Sequence, residues 1–114
     1  MLTIIMILET EFGCTGVLLK DGHPFCWTLE DHFKMLKEGE YKIVKKGNQV
    51  EIAAPGGSAF FTAGHVREDA DVNVLLGFKM YSPRYITETQ KALTEFYKVV
   101  KNLKEDTLTI RRLS

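Results

Sequence analysis

Between Thr62 and Gly77 the chain gathers His65, Arg67, Glu68, Asp69, Asp71 and Asn73, its densest run of groups able to exchange protons or grip charge. The run has a base and several carboxylates, but its only hydroxyl is Thr62 and it has no thiol; Cys14 and Cys26 lie far upstream. Covalent catalysis needs a nucleophile with a base placed to activate it. This set is therefore better suited to holding a ligand than to attacking one. His65 can orient a phosphate or carboxylate, or change charge near neutral pH. Its plainer role is a loop histidine bonded to Asp69 or to a backbone carbonyl. Glu68, Asp69 and Asp71 supply oxygens for a divalent cation, but the twelve-residue calcium-loop pattern is missing and a solvated turn fits better.

Other candidates lie outside that run. Glu30 and Asp31 are adjacent, so in extended chain they point opposite ways and cannot work as an acid–base pair. Tying the following loop to its own backbone N–H groups suits them better. Phe78-Lys79-Met80-Tyr81-Ser82-Pro83-Arg84-Tyr85 alternates aromatic and cationic residues in what reads as an exposed loop. Its rings can stack on a base while Lys79 and Arg84 neutralise phosphate. Tyr, Met and Arg are also enriched in protein interfaces, and ordinary packing onto a sheet is a third reading. Lys98, Lys101, Lys104, Arg111 and Arg112 read as a solvated basic face near a helix end. Neither G-x-x-x-x-G-K-[ST] nor G-x-G-x-x-G is present, and Gly56-Gly57 is too short for a phosphate loop. The two cysteines and three histidines show no zinc spacing and no C-x-x-C pair. No metal and no cofactor is expected.

The elements that must position these residues follow from periodicity. Leu2 to Glu9 reads as a strand rich in β-branched residues. It is too short to cross a bilayer and lacks the basic start and cleavage site of a leader. The expectation is a soluble, cytoplasmic protein with no membrane contact and with reduced cysteines packed as small hydrophobes. Cys14 to Lys20 and His23 to Thr28 form a hairpin about Asp21-Gly22, two positions that tolerate positive φ. Leu29 to Glu38 breaks the pattern and reads as a loop with a helical turn. Glu40 to Lys45 and Gln49 to Ala53 make a second hairpin, Ala59 to Thr62 a short strand, and Val72 to Leu76 another. The spacing of Leu93, Phe96, Tyr97, Val100 and Leu103 predicts a helix over about 87–103, opened by a Thr87/Gln90 capping box. Thr107 to Arg112 is a last strand. The whole is a single domain over 1–114 of the α+β class: a curled antiparallel sheet or small barrel of seven to eight strands packed on one helix.

Composition sets limits. A chain of 114 residues, 45% of them hydrophobic, can bury a real core without a disulfide or metal. Fifteen basic and fifteen acidic residues cancel, which argues against a partner of long nucleic acid. Exposed strand edges would favour a homo-oligomer.

Thr15-Gly16-Val17-Leu18, Asp21-Gly22 and Cys26-Trp27-Thr28-Leu29-Glu30-Asp31 resemble a small phage and prophage protein family of unknown function. Members carry a T-x-G-x-L strand and a strand ending in T-L-E-D or T-I-E. Leu36-Lys37-Glu38-Gly39-Glu40-Tyr41 is similar to a later I-P-x-G-x-Y element. The family's I-H-x-G-N and G-C-I-x-x-G segments match Phe61-Thr62-Ala63-Gly64-His65 and Val72-Asn73-Val74-Leu75-Leu76-Gly77, and Lys91-Ala92-Leu93 fits the following helix. The last two family motifs are similar to the active-site pattern of L,D-transpeptidases, which use a thiolate and a histidine base. On that correspondence the cysteine position is Asn73 and the histidine position is Thr62, so the resemblance implies a pocket without catalytic partners. The candidate ligand-binding set is Thr62, His65, Asn73, Lys79, Tyr81, Arg84 and Tyr85.

These readings converge on a non-catalytic phage-type protein. It would bind a small anionic molecule, a nucleotide being one candidate and sequestration of a host defence signal one use, or it would bind a host protein. The alternatives are a degenerate cell-wall peptide enzyme using His65 with Thr62 or Ser58, and a virion structural or assembly subunit.

Overall fold

A computed structural model describes residues 1–31, 33–47, 49–54, 57–83, 85–102 and 107–113, with Arg67 described by its backbone alone. Three strands open the chain as a meander: β1 (Leu2–Thr10), β2 (Gly13–Lys20) and β3 (His23–Glu30). At the β2–β3 turn Asp21 and Gly22 have φ of 51° and 82°, the left-handed pair demanded by a two-residue hairpin. A second meander follows, β4 (Gly39–Lys46), β5 (Gln49–Ala54) and β6 (Gly57–Thr62). β7 (Val74–Gly77) joins the two, lying parallel to β6 and antiparallel to β3. β10 (Thr107–Arg112) seals the other side, parallel to β1 and antiparallel to β4.

The ring β1-β10-β4-β5-β6-β7-β3-β2 is a closed barrel. Of the two architectures expected for the α+β class, the barrel is the one formed, with two parallel junctions in an otherwise antiparallel wall. Closure gives every barrel strand two hydrogen-bonded neighbours, so among the described residues the barrel itself leaves no free strand edge.

Alternation along the strands sorts side chains to the two faces of the wall. Leu2, Ile4, Leu18, Ile43, Ile52, Phe61, Val74, Leu76, Leu108 and Ile110 belong to the inner core. The helix α1 (Thr89–Lys101) contributes Ala92, Leu93, Phe96 and Val100 to that core. Phe96 lies 4.5 Å from Phe61 and 6.4 Å from Phe25, ring centre to ring centre. Tyr97, Val100 and Lys101 face Gly47, Gln49 and Val50 at the β4–β5 turn, so the helix covers that end of the barrel. At the opposite end, residue 31 and residues 33–38 lie between β3 and β4 as a strap.

Four expectations change. β3 runs on to Glu30, because Leu29 pairs with Leu75 and with Thr15 and is wholly buried. The strand expected over Val72 to Leu76 is β7, and residues 72–73 belong to the preceding turn, where Asn73 N–H donates to the Ala70 carbonyl at 2.8 Å. The segment expected as an exposed loop is a hairpin, β8 (Lys79–Ser82) with β9 (Tyr85–Thr87). Met80 and Ile86 of that hairpin pack with Leu29, Ala70, Leu75 and Trp27 as a second, outer core. The helix begins at Thr89 instead of Thr87. Thr87 is committed to the β9 ladder opposite Lys79, and Glu88 turns the corner with φ of 55° and no side-chain cap. The expected capping box therefore does not form. The expected helix end at Leu103 lies outside the described residues.

No helix among the described residues is long and apolar enough to cross a membrane.

Candidate functional site

β6 and β7 are parallel neighbours, with Val74 level with Phe61 and Leu75 with Thr62, so after Thr62 the chain must double back outside the wall before it can enter β7 in the same direction. Residues 63–73 make that return along the outer wall, and this is why His65, Asp69 and Asn73 stand near the β8–β9 hairpin. Asp69 accepts the N–H of His65 at 3.0 Å and of Val66 at 3.2 Å, closing the short 3-10 turn Arg67–Asp69. Those two bonds, His65 first, hold its carboxyl below the usual range.

His65 is fixed to the hairpin twice. Its carbonyl accepts the Ile86 N–H at 3.0 Å, and its Nδ1 lies 2.9 Å from the Ile86 carbonyl. A carbonyl can only accept, so Nδ1 carries the hydrogen and Nε2 is left as the open nitrogen. The imidazole is stacked on Tyr85, 5.4 Å between centres at an interplanar angle of 11°. Tyr81 lies 6.5 Å beyond Tyr85, tilted by 40°. Tyr81 is 71% exposed and Tyr85 40%. The result is an aromatic platform, His65–Tyr85–Tyr81, on the outer wall of the barrel, with Lys79 exposed on the same hairpin.

The remaining expected site residues divide. Asn73 has its amide oxygen engaged: Oδ1 accepts the Phe60 N–H at 2.9 Å, which ties the return segment to β6. Thr62 is half-buried in β6 opposite Leu75. Arg84 lies outside the described residues. Glu30 and Asp31 do what their adjacency implied, since Glu30 Oε2 accepts the Leu36 N–H and Asp31 Oδ1 accepts the Phe33 N–H, both at 3.0 Å. Glu30 is fully buried, and desolvation pushes its carboxyl up to about 7 against the lowering effect of the Leu36 bond.

The two cysteines are free, buried and part of the inner core. Burial pushes both thiols up to about 12, which leaves negligible thiolate at neutral pH. Among the described residues no three His, Cys, Asp or Glu side chains meet in a group able to hold a metal.

Sequence reasoning missed a cleft of about 760 Å³ at the strap end of the barrel, lined by Lys34, Lys37, Tyr41, Ala54, Ser58 and Val72 among others. Its signals were present but scattered: a broken strand pattern over 31–38, and two lysines three residues apart within it. Only the closing of the barrel brings them over β5 and β6.

Fold and site together define a small closed mixed barrel, helix-covered at one end, with an aromatic platform on its wall. No family model, curated protein or solved structure matches the chain.

Proposed function

We propose that this protein binds a small planar anion without transforming it, at the His65–Tyr85–Tyr81 platform. The observation that carries the reading is the near-parallel His65–Tyr85 pair, anchored by backbone bonds to Ile86 and open to solvent beside Tyr81. Exposed rings held in a fixed orientation stack on a flat ligand with little ordering cost, at about 1–3 kcal/mol for each base stacked. Lys79, and Arg84 in the sequence, supply positive charge for a phosphate or carboxylate. A nucleotide meets both requirements. The resemblance to phage proteins makes sequestration of a host signalling nucleotide the biological use in view. Binding without turnover is supported by the position of Asn73, whose amide serves the backbone, and by thiols held neutral in the core.

Titration with adenosine monophosphate and with cyclic dinucleotides, followed by Tyr fluorescence and amide shifts, tests this. Saturable binding with no product, lost in Tyr81→Ala and Tyr85→Ala, is the expected result. Absence of binding by any nucleotide, or hydrolysis of the one bound, would reject it.

A second reading, an assembly subunit, is favoured by Ile7, Leu8, Phe12 and Leu113, which are exposed together where β1 ends, β2 begins and β10 ends. A homo-oligomer joined there, rather than by strand edges, would be dissociated by Leu8→Lys in a native mass measurement. A monomeric wild type rejects that reading.

A further inference from the structure

We propose that the cleft at the strap end of the barrel is a second binding site, for a free single-chain amphiphile bearing one anionic group. This is independent of the platform on the outer wall. The cleft's volume, about 760 Å³, falls within the ~300–1,000 Å³ typical of small-molecule sites. Its described lining mixes an apolar floor and wall, with Met35, Leu36, Ala54, Ala59 and Val72, with a few polar groups at one side. Lys34 and Lys37 are both in that lining, and no Asp or Glu is. An apolar cavity with two ammonium groups, and no carboxylate within its described lining, favours an apolar body with a negative head.

The wall that carries the lysines is already in place. Glu30 holds the Leu36 N–H, Asp31 holds that of Phe33, and the Tyr41 hydroxyl donates to the Lys37 carbonyl at 2.5 Å. Little ordering is then left for the ligand to impose. The two cations differ in availability. Among the described residues Lys37 has no ion-pair partner, while Lys34 Nζ lies 2.7 Å from Asp71 Oδ1. Both partners of that pair are more than half exposed, a setting in which an ion pair contributes ~0–1 kcal/mol. Exchange of Asp71 for a ligand carboxylate therefore costs little. The Ser58 hydroxyl is occupied as a donor to Glu51, which Lys46 holds at 2.6 Å, so Ser58 adds no donor to the anion site.

Sodium decanoate and its neutral counterpart 1-decanol, each below its aggregation concentration, are the probes. Amide spectra of the full chain report on them. Decanoate is expected to shift Leu36, Ala54, Ala59 and Val72 saturably at one molecule per chain, leaving His65, Tyr81 and Tyr85 in place. Decanol should bind about tenfold more weakly, the size of one charge-assisted contact. Lys37→Ala should weaken decanoate by roughly three- to tenfold and leave decanol unchanged. Ala54→Phe, at a half-buried position of the apolar lining, should abolish both. Equal binding of the two probes, or decanoate binding unmoved in the Lys34→Ala/Lys37→Ala double variant, would overturn the proposal. So would shifts confined to the hairpin, shifts of the cleft amides on dilution without probe (a second copy), or capture by anionic vesicles with no response to monomeric decanoate.

Discussion

Glu30 and Asp69 are each the carboxylate that ties one loop of the molecule by accepting backbone N–H groups, yet their surroundings drive them in opposite directions. Glu30 accepts one N–H, from Leu36, at the root of the strap that walls the cleft, and is fully buried. Asp69 accepts two, from His65 and Val66, on the exposed return segment behind the platform. Burial pushes Glu30 up to about 7, whereas the two bonds hold Asp69 below its ordinary value. The chemistry of the tie is the same in both loops. What differs is water: one hydrogen bond does not replace the hydration a buried carboxylate loses, and two are ample when solvent still reaches it.

The largest effect expected from that contrast is a pH dependence of stability set by Glu30. Below the ordinary glutamate value of 4.5 the folded and unfolded chains both carry this proton; between 4.5 and about 7 only the folded chain does; above about 7 neither does. Where the folded state binds the extra proton, stability falls as pH rises. The gap between 4.5 and about 7, at about 1.4 kcal/mol per pH unit, sets an upper bound of roughly 3–4 kcal/mol lost across the window. Glu30→Gln keeps an acceptor for Leu36 and removes the titration. Denaturant melts of wild type and variant from pH 4.5 to 8 should therefore diverge steadily, the variant gaining. A constant difference would mean that water reaches the Glu30 carboxylate.

The outer loop breaks differently, by crowding. A Cβ on Gly64 would lie 2.7 Å from the Asp69 Cβ and 2.9 Å from the Leu75 Cδ2. Asp69 cannot retreat without releasing His65 and Val66, and Leu75 is wholly buried in the outer core. Gly64→Ala should cost about 1–3 kcal/mol, the range for overpacking, and should broaden the His65 and Tyr85 resonances while those of the strap stay sharp. Asp69→Ala should cost less, about 1 kcal/mol, as for loss of a turn-capping side chain whose N–H groups then turn to water. Its pH dependence runs opposite to that of Glu30. A depressed carboxylate stabilises above its ordinary value of 3.8 and loses that contribution as pH falls. The difference between wild type and Asp69→Ala should shrink steadily as pH falls below 3.8.

How far these two loops could be read from sequence differs for the same reason. The tie by Glu30 and Asp31 was legible, because adjacent residues on extended chain face opposite ways and both sit next to a segment of broken periodicity. So were the inner-facing strands and the helical stripe of Leu93, Phe96 and Val100. The burial of Glu30 was not legible, since it depends on β10 and β4 closing the barrel at a distance in sequence. The β8–β9 hairpin escaped because Lys79, Tyr81 and Ser82 are polar or exposed, and only Met80 and Ile86 face the outer core. Its partner in that core, Leu75, is in a strand buried on both faces, where no alternation marks which side awaits a cover. The bond from the Phe60 N–H to Asn73 was not legible, because an amide in a polar run carries no sign of the backbone N–H it serves. The cleft was invisible for a simpler reason: its lining comes from five separate stretches of chain.

The smallest expected effect on stability sharpens the comparison most for function. Tyr85 is stacked on His65 and partly shielded, so Tyr85→Ala removes a packed aromatic pair and should cost roughly 0.5–1.5 kcal/mol. Tyr81 lies 6.5 Å from Tyr85, ring centre to ring centre, tilted and 71% exposed. Exposed substitutions away from packed features usually stay within about 0.5 kcal/mol, and Tyr81→Ala should melt like wild type. If Tyr81 is held out for packing, nucleotide binding should be indifferent to its loss. If it is held out for stacking, the same substitution should weaken binding by about 1–3 kcal/mol with the melting curve unmoved. Phe in place of Tyr81 should restore that binding, because the stack needs the ring face and not the hydroxyl. A ring that costs nothing to remove from the fold and is missed only by the ligand is the signature that separates a platform from a wall.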